Sequence, residues 1–175
     1  MEYLDILDEE GNKTGKKDTR EIIHKNGLLH SEVAAFIYTG TGKILLQKRK
    51  SNKKTYGGMW SITGGHVLSG ETNEDALIRE IKEELNLEIK KDEITFVTKY
   101  KSKTIKENII NNKFFSIYNI KITEEKLDKI KIQKDEIEAV KLFTIEKIQK
   151  IMKLEDKNYK FPQNSDIAIA LIKNY

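Results

Sequence analysis

Two runs of apolar residues mark the most regular stretch of the chain. Residues 33–39 (VAAFIYT) and 43–48 (KILLQK) are rich in aliphatic and aromatic side chains, and the segment between them is Gly-Thr-Gly. Apolar runs of this length bounded by glycine are typical of buried strands, and a short glycine-containing connection is typical of a hairpin. The pattern therefore predicts two core strands joined by a turn at residues 40–42.

Further runs extend this pattern along the chain. The opening segment, EYLDILDEEGNKTG, predicts a hairpin with its turn around Glu10-Gly11-Asn12. Other strands are predicted over residues 59–63, 94–100, 114–122 and 139–143, the first ending at Gly64-Gly65. Helices are predicted over residues 20–25, 73–85, 144–152 and 163–173. Strands with inserted helices in this order predict an α/β (α+β) domain.

The composition agrees with one compact domain. At 175 residues the chain can bury a core without disulfides, and it contains no cysteine. Lysine and arginine total 32 against 28 aspartates and glutamates, a surplus too small and too scattered to predict nucleic-acid binding. The sequence has no apolar run long enough to span a membrane and no signal-peptide pattern, so we expect a cytoplasmic protein.

The helix predicted over residues 73–85 separates its apolar and charged side chains. Thr72 followed by Asp75 has the form of a capping box, which places the start of the helix near Asn73. Apolar residues recur at helical spacing, namely Leu77, Ile78, Ile81 and Leu85. We expect this stripe to pack on a sheet.

Three carboxylates share another face of the same helix. Glu80, Glu83 and Glu84 fall within roughly 100° of one another around the helix axis. Like charges at this spacing repel and weaken an isolated helix. A hard divalent cation offsets that repulsion, because it prefers oxygen ligands and keeps water and phosphate oxygens in its other positions. The alternative interpretation is a solvated face of a surface helix.

A longer pattern surrounds these carboxylates. In the segment GHVLSGETNEDALIREIKEELNL, residues 65–87, Gly65 is followed by Glu71, Arg79-Glu80 and Glu83-Glu84. This segment resembles the Nudix box, the signature of hydrolases that cleave nucleoside diphosphates linked to another group. The usual glycine near its end is Asn86, and asparagine is the residue that best replaces glycine where φ is positive.

The resemblance implies a fold, a cofactor and a set of roles. The fold would be the αβα sandwich of the family with a mixed central sheet, as one domain over residues 1–175 with an N-terminal hairpin and helix at residues 1–30. Mg²⁺, for which Mn²⁺ can substitute, would be held by the three glutamates and the Gly64 carbonyl, with Glu80 as the base. Arg79 would complete the catalytic set by clamping Glu71, and Gly65 would help to fix the loop.

Residues 4–87 resemble one branch of the family, which includes the type I isopentenyl diphosphate isomerases. In that pattern, residues at the places of Arg49 and Lys53 hold the substrate diphosphate, although a solvated basic loop is the alternative. His30 and His66 match metal-binding histidines of the isomerase in local context, whereas His24 is off by one residue in spacing. A structural role is the alternative for each histidine, and a second, histidine-containing site is a hypothesis.

Three functions are consistent with these resemblances. The first is Mg²⁺-dependent hydrolysis of a diphosphate linkage in a nucleoside diphosphate derivative or a related organic pyrophosphate. Isopentenyl diphosphate isomerisation is disfavoured, because its chemistry needs a cysteine and the chain has none. The third is a non-catalytic nucleotide-sensing domain. A further acidic residue from a downstream loop could take part in catalysis, and Glu136 is the first candidate for it, ahead of Glu107. The expected partner is a small-molecule diphosphate. A homodimer is also possible.

Overall fold

The computed structural model describes residues 1–53 and 55–173. The strands in this part are β1 (Tyr3–Leu7), β2 (Lys13–Thr19), β3 (His30–Thr39), β4 (Ile44–Arg49), β5 (Trp60–Ser61), β6 (Thr63–His66), β7 (Ile94–Lys106), β8 (Ile109–Ile122), β9 (Ile137–Phe143) and β10 (Tyr159–Lys160). The helices are α1 (Arg20–Asn26), α2 (Asn73–Leu85), α3 (Glu124–Asp128), α4 (Ile145–Lys153) and α5 (Ser165–Lys173), with a 3-10 turn at Lys91–Glu93. Among these described residues, no helix has both the length and the apolar character needed to cross a membrane.

A mixed sheet of eight strands forms the centre of the molecule. Its strand order is β10-β5-β4-β3-β8-β7, with β6 also pairing with β3 and β9 with β4. β3 and β8 run parallel along the whole of β3, and β4 is antiparallel to β3. β1 and β2 form a separate antiparallel hairpin, as predicted for the N-terminus.

Successive residues of β3 point to opposite sides of the sheet, and helices cover both sides. Val33 and Ala35 pack with α2 on one face, whereas Ala34 and Phe36 pack with α4 and α5 on the other. Burial on both faces explains why this strand reads as continuously apolar instead of alternating. The result is the predicted αβα sandwich with a mixed sheet.

The prediction of a single strand over residues 59–63 is wrong in extent. The structure has β5 paired with β4 and then β6 paired with β3, with Ile62 between them. Because the chain changes its partner strand at Ile62, one predicted element becomes two. Gly64 and Gly65 therefore lie within β6 and not in a loop that follows the strand.

The hairpin formed by β7 and β8 is longer than predicted. The two strands pair from Ile94 and Ile120 to Lys106 and Ile109, whereas the prediction stops at residue 100 and resumes at residue 114. Most of the added residues are polar. Backbone hydrogen bonds hold them in register, and such bonds leave no apolar pattern in the sequence. α3 and β10 lack a prediction for the same reason.

The N-terminal hairpin braces the loop that precedes α2. Asp5, on β1, accepts hydrogen bonds from the Ser69 hydroxyl at 2.7 Å and from the Gly70 amide at 3.1 Å. Lys13, on β2, lies 2.8 Å from Asp5 and donates to the Glu71 carbonyl at 3.1 Å. The hairpin therefore helps to position the loop that carries Glu71.

Candidate active site

Helix α2 begins and ends where the sequence indicates. The Thr72 hydroxyl accepts a hydrogen bond from the Asp75 amide at 3.2 Å and donates to the Asp75 carboxylate at 2.7 Å, which caps the first turn. Asn86 ends the helix with a φ of 55°, in the left-handed region. Asparagine thus supplies the positive φ for which glycine is the usual residue.

α2 buries its apolar stripe and turns its acidic face to a cavity. Leu77 and Ile81 are fully buried against the sheet. Glu80, Glu83 and Glu84 line a cavity of about 1130 Å³. Glu83 is exposed, Glu80 is half-buried and Glu84 is buried. The three carboxylates therefore experience very different degrees of contact with water.

Arg79 connects the loop, the helix and strand β6. Its Nε and Nη2 atoms donate to the two oxygens of Glu71 at 2.8 and 3.0 Å, the pairing that the sequence predicts. Nη1 lies 2.8 Å from Glu80 and 3.4 Å from Glu83, and Nη2 also donates to the His66 carbonyl at 2.8 Å. Burial alone would raise the pKa of Glu71, but the hydrogen bonds from Arg79 outweigh it and lower that pKa.

Strand β6 lies so close to α2 at Gly65, and to β3 at Gly64, that neither position has room for a side chain. A Cβ atom on Gly65 would lie 2.3 Å from the Glu80 carboxylate, and one on Gly64 would lie 2.2 Å from the Val33 carbonyl oxygen. Both distances are far inside van der Waals contact, so any larger residue would displace the strand. The glycines let the Glu80 carboxylate lie directly against β6.

The most buried carboxylate, Glu84, has a partner that sequence reasoning missed. The Gln47 amide donates to Glu84 Oε2 at 2.7 Å, and the Thr63 hydroxyl donates to Gln47 Oε1 at 3.1 Å. With its oxygen taken by Thr63, Gln47 presents its NH₂ group to Glu84. The sequence offers only a weak signal for this contact, because Gln47 directly follows the apolar residues of β4 and is itself followed by Lys48 and Arg49.

Two of the three glutamates lie in surroundings that favour the neutral acid. Burial raises the pKa of Glu84 to about 8, and the hydrogen bond from Gln47 opposes this shift only in part. Burial also raises the pKa of Glu80, against the opposing effect of Arg79. A nearby divalent cation would favour the ionised carboxylates instead. This donor set of clustered carboxylate oxygens fits a hard cation.

Arg49, Lys53 and Glu136 form another charged group in the same cavity. Arg49 Nη1 lies 3.1 Å from Glu136 Oε2, and the Lys53 ammonium pairs with Oε1 of the same carboxylate. The structure thus brings the two residues predicted to hold diphosphate together with the candidate further acid. Glu107 lies instead at the exposed turn between β7 and β8, with a φ of 54°, and does not itself line the cavity, although its neighbours Lys106 and Asn108 do.

The three histidines converge with a fourth residue, Glu32, which sequence reasoning did not select. Each of the four offers an atom within 4.8 Å of the others. His66 Nε2 lies 3.1 Å from His24 Nε2 and 3.2 Å from Glu32 Oε1. His30 Nδ1 is 3.1 Å from the Leu28 carbonyl, and its Nε2 is 3.8 Å from Glu32 Oε1. In the described structure this buried Nε2 has no hydrogen-bond partner.

The histidine cluster, His24, His30, His66 and Glu32, is electrostatically balanced. Burial lowers the pKa of His24 to about 4 and holds the pKa of His66 well below its usual range. Burial opposes ionisation of Glu32, but the ammonium of Lys113 outweighs it and keeps the pKa of Glu32 well below its usual range. Lys113 pairs with Glu32, which also accepts a hydrogen bond from the Asn111 amide at 2.7 Å. The site therefore combines the neutral imidazoles of His24 and His66 with an ionised carboxylate at neutral pH.

Comparison with known proteins agrees with this geometry. The NUDIX domain family matches residues 28–164. The chain belongs to the Nudix family. An uncharacterised Nudix hydrolase of Nostoc sp. is 33% identical over 180 residues, which cover 100% of this chain and 96% of that protein. Nudix hydrolase 3 of Arabidopsis thaliana is 33% identical over 163 residues, which cover 90% of this chain and only 21% of the plant protein.

Relatives also include proteins named for the isomerase. Isopentenyl-diphosphate Delta-isomerase of Escherichia coli is 27% identical over 137 residues, which cover 78% of this chain and 73% of the isomerase. The crystal structure of DR0079 from Deinococcus radiodurans matches this Nudix chain with a TM-score of 0.69 at 21% sequence identity. The match covers 99% of this chain and 98% of the DR0079 chain. The sequence relatives support the assignment of this chain to the isomerase-like branch of the family, whose hydrolases act on pyrophosphate bonds. The crystal structure supports the assignment of the fold.

Proposed function

We propose that this Nudix protein hydrolyses a diphosphate linkage in a nucleoside diphosphate derivative or a related organic pyrophosphate, with Mg²⁺ as its cofactor. The observation that carries the proposal is a single cavity lined both by the α2 glutamates and by Arg49 and Lys53. The glutamates suit a hard cation, and the two basic side chains suit phosphate oxygens. The cavity volume of about 1130 Å³ gives room for a nucleotide-sized small molecule.

The three α2 glutamates and the Gly64 carbonyl would hold Mg²⁺, and Mn²⁺ is expected to substitute for it. When bound, Mg²⁺ neutralises charge on the diphosphate and lowers the pKa of a coordinated water. Around these ligands, Arg79 orients Glu80 and Glu83, and Gln47 orients Glu84. Such supporting contacts set the ligand positions before a metal arrives.

The remaining roles follow from the same set of residues. Arg49 and Lys53 would bind and orient the diphosphate. Glu80 would accept a proton from water while the water oxygen forms a bond to one phosphorus. The bond from that phosphorus to the bridging oxygen breaks, and the bridging oxygen leaves with the other phosphate. Glu136, paired with both basic residues, is the candidate for a further acidic contribution.

A substrate screen tests the reaction class and narrows the substrate. The panel comprises nucleoside triphosphates, nucleotide sugars, dinucleoside polyphosphates and prenyl diphosphates, each with Mg²⁺ or Mn²⁺. All phosphorylated products, including nucleoside monophosphates, sugar phosphates, phosphate and pyrophosphate, are separated and measured, together with isomerisation of isopentenyl diphosphate. Formation of products cleaved at the diphosphate supports the hydrolase, whereas isomerisation alone would establish the rival. Binding of these compounds without turnover would establish the sensing domain.

The variant Glu83→Gln tests the role of the carboxylate face. We expect kcat with the best substrate to fall by about a hundredfold or more, because one ligand of the cation is lost. The fold should persist, since the Glu83 side chain is 53% exposed, and circular dichroism checks this. Glu88→Gln is the matched control, because Glu88 is exposed and pairs with Lys82 at 2.5 Å. Near-normal hydrolysis by Glu83→Gln would refute the assignment.

We also propose that the histidine cluster binds a second divalent cation, such as Mn²⁺ or Zn²⁺. The supporting observation is the buried Nε2 of His30, which has no hydrogen-bond partner in the described structure and lies among the other three donors. Neutral imidazoles with one carboxylate are a donor set that such metals accept. The site is either a remnant of the isomerase-like branch or a contact for substrate.

We further propose that residues 1–175 form one cytoplasmic domain. The N-terminal extension, residues 1–30, would belong to it, because Asp5 holds the loop before α2 through Ser69 and Gly70. The expected partner is a small-molecule diphosphate, without membrane or nucleic acid.

A further inference from the structure

One carboxylate is shared by the two cations that are proposed to bind the substrate diphosphate. Glu136 directs Oε2 to Arg49 at 3.1 Å and Oε1 to Lys53. All three side chains line the cavity and are partly buried, with 27% to 31% of each exposed. The carboxylate therefore lies where the oxygens of a bound phosphate would contact the same two cations.

The backbone around Glu136 is fixed, so a change of partners would involve only the side chain. The Lys50 amide donates to the Glu136 carbonyl at 2.9 Å, and the Glu136 amide donates to the Gln133 carbonyl at 3.0 Å. The Gln133 amide in turn donates to the Glu84 carbonyl at 2.9 Å, near the end of α2. These bonds tie the residue to β4 on one side and to the acidic helix on the other.

The Arg49 guanidinium is held independently of Glu136. Arg49 Nε donates to the Thr55 carbonyl at 3.1 Å, which fixes the guanidinium while Nη1 faces the carboxylate. The backbone at Lys53 is held as well, because its amide donates to the Lys50 carbonyl at 3.1 Å. The guanidinium would therefore keep its place if the Glu136 side chain rotated away, and the Lys53 side chain would still start from the same point of the cavity wall.

We propose that Glu136 is an internal anion that occupies the diphosphate subsite of Arg49 and Lys53 in the substrate-free protein and leaves it when substrate binds. The inference rests on the proposed function, because it assumes that these two residues bind diphosphate. A ligand must then compete with a carboxylate already paired with both cations. A diphosphate carries several charges and more acceptor oxygens than a carboxylate, so it competes well, whereas a singly charged anion does not. Glu136 is thereby a specificity-determining residue for the reaction.

Binding of inorganic pyrophosphate to Glu136→Gln tests this proposal. Titration calorimetry in the presence of EDTA measures the affinity without hydrolysis and without a metal contribution. We expect Glu136→Gln to bind pyrophosphate about tenfold more tightly than the wild type, because binding no longer breaks two ion pairs. Glu136→Asp, which keeps the charge but has a shorter reach, should lie between the two.

Glu138→Gln is the matched control. It removes the same charge two residues further along the chain, where Glu138 pairs with Lys48 at 2.7 Å and with the Ser51 hydroxyl at 2.9 Å. Its affinity for pyrophosphate should stay within about twofold of the wild type, since only long-range charge has changed. Equal gains in affinity for pyrophosphate in Glu136→Gln and Glu138→Gln would overturn the proposal. They would show that removing any nearby negative charge has the same effect.

Arg49→Gln separates failure of the inference from failure of the proposed subsite. Loss of pyrophosphate binding in Arg49→Gln, together with tighter binding in Glu136→Gln, supports both. If Arg49→Gln loses binding but Glu136→Gln binds no more tightly than the wild type, Glu136 is a permanent structural brace and the inference is wrong. If neither Arg49→Gln nor Lys53→Gln alters binding, the subsite is wrong and the inference is overturned with it.

Discussion

The acidic face of α2 and three members of the histidine cluster, His24, Glu32 and His66, line one cavity, yet the two groups are built in opposite ways. Glu80, Glu83 and Glu84 lie within one short stretch of a single helix, so local periodicity is enough to bring them together. The histidine cluster takes its donors from α1, β3 and β6, and these meet only when the elements pack. A site of the first kind can be recognised from spacing, whereas a site of the second kind cannot.

The two regions also differ in how their charge is balanced. Glu84 receives its hydrogen bond from the neutral Gln47 amide, and its pKa is raised to about 8. Glu32 pairs with the Lys113 ammonium, and its pKa is held well below its usual range. A bound cation would therefore stabilise the ionised form of Glu84, whereas Glu32 is already stabilised as a carboxylate by Lys113 beside the cluster.

The largest combined effect on activity and stability is expected from Arg79, which contacts Glu80 and Glu83 on one side and the His66 carbonyl on the other. Arg79→Lys keeps the positive charge but cannot hold both oxygens of Glu71 while also reaching Glu80 and the His66 carbonyl. We expect kcat/KM to fall by about a hundredfold and the free energy of unfolding to fall by about 2–3 kcal/mol, because partly buried acceptors lose their donors. Steady-state hydrolysis and urea unfolding measure the two effects.

Arg20→Lys is the control for the unfolding measurement in that experiment. Arg20 pairs with Glu2 at 3.2 Å at an exposed position, where an ion pair contributes about 0–1 kcal/mol. Equal losses of stability in Arg20→Lys and Arg79→Lys would contradict the view that Arg79 organises the site.

The pH dependence of stability should separate the two regions in protein treated with EDTA. Glu84 has a pKa near 8 in the fold against 4.5 for the ordinary side chain, so stability falls as pH rises between these values. His24 has a pKa near 4 against 6.5, so its contribution is lost as pH falls from 6.5 towards 4. The loss on the alkaline side should be on the order of 2–4 kcal/mol.

One variant in each region tests whether stability changes with pH in these opposite directions. Glu84→Gln should remove most of the loss of stability between pH 4.5 and 8, and His24→Asn should reduce the loss between pH 6.5 and 4. Thermal or urea unfolding across this range measures both. If Glu84→Gln leaves the alkaline limb unchanged, the carboxylate is not held in the neutral form by burial.

The smallest expected effect is on hydrolysis after loss of a histidine. Crystals soaked in Mn²⁺ should show anomalous density both at the glutamates and at the histidine cluster. In His24→Asn, density at the cluster should weaken while hydrolysis changes by less than about threefold, because the acidic face is intact. Anomalous density confined to the glutamates in the wild type would eliminate the second cation site.

Local features were the most predictable parts of this Nudix fold. The α2 boundaries at Asn73 and Leu85 agree with prediction because a capping side chain and a 3.6-residue period act within the helix itself. Features that depend on tertiary packing were not predicted from the sequence. The partner change at Ile62, the polar extension of β7 and β8, and the Gln47 contact all depend on neighbours that are distant in sequence.

Three features follow from the amino-acid sequence alone: the spacing of Glu80, Glu83 and Glu84, the asparagine at the position of positive φ, and the lack of a cysteine for isomerase chemistry. The tertiary structure set how buried each carboxylate is, and hence that burial raises the pKa of Glu80 and Glu84. It also decided that Glu32 joins the histidines and that Glu136 lies on Arg49 and Lys53. Spacing along a helix is fixed by the geometry of its backbone, whereas burial and charge pairing are set by residues from other elements.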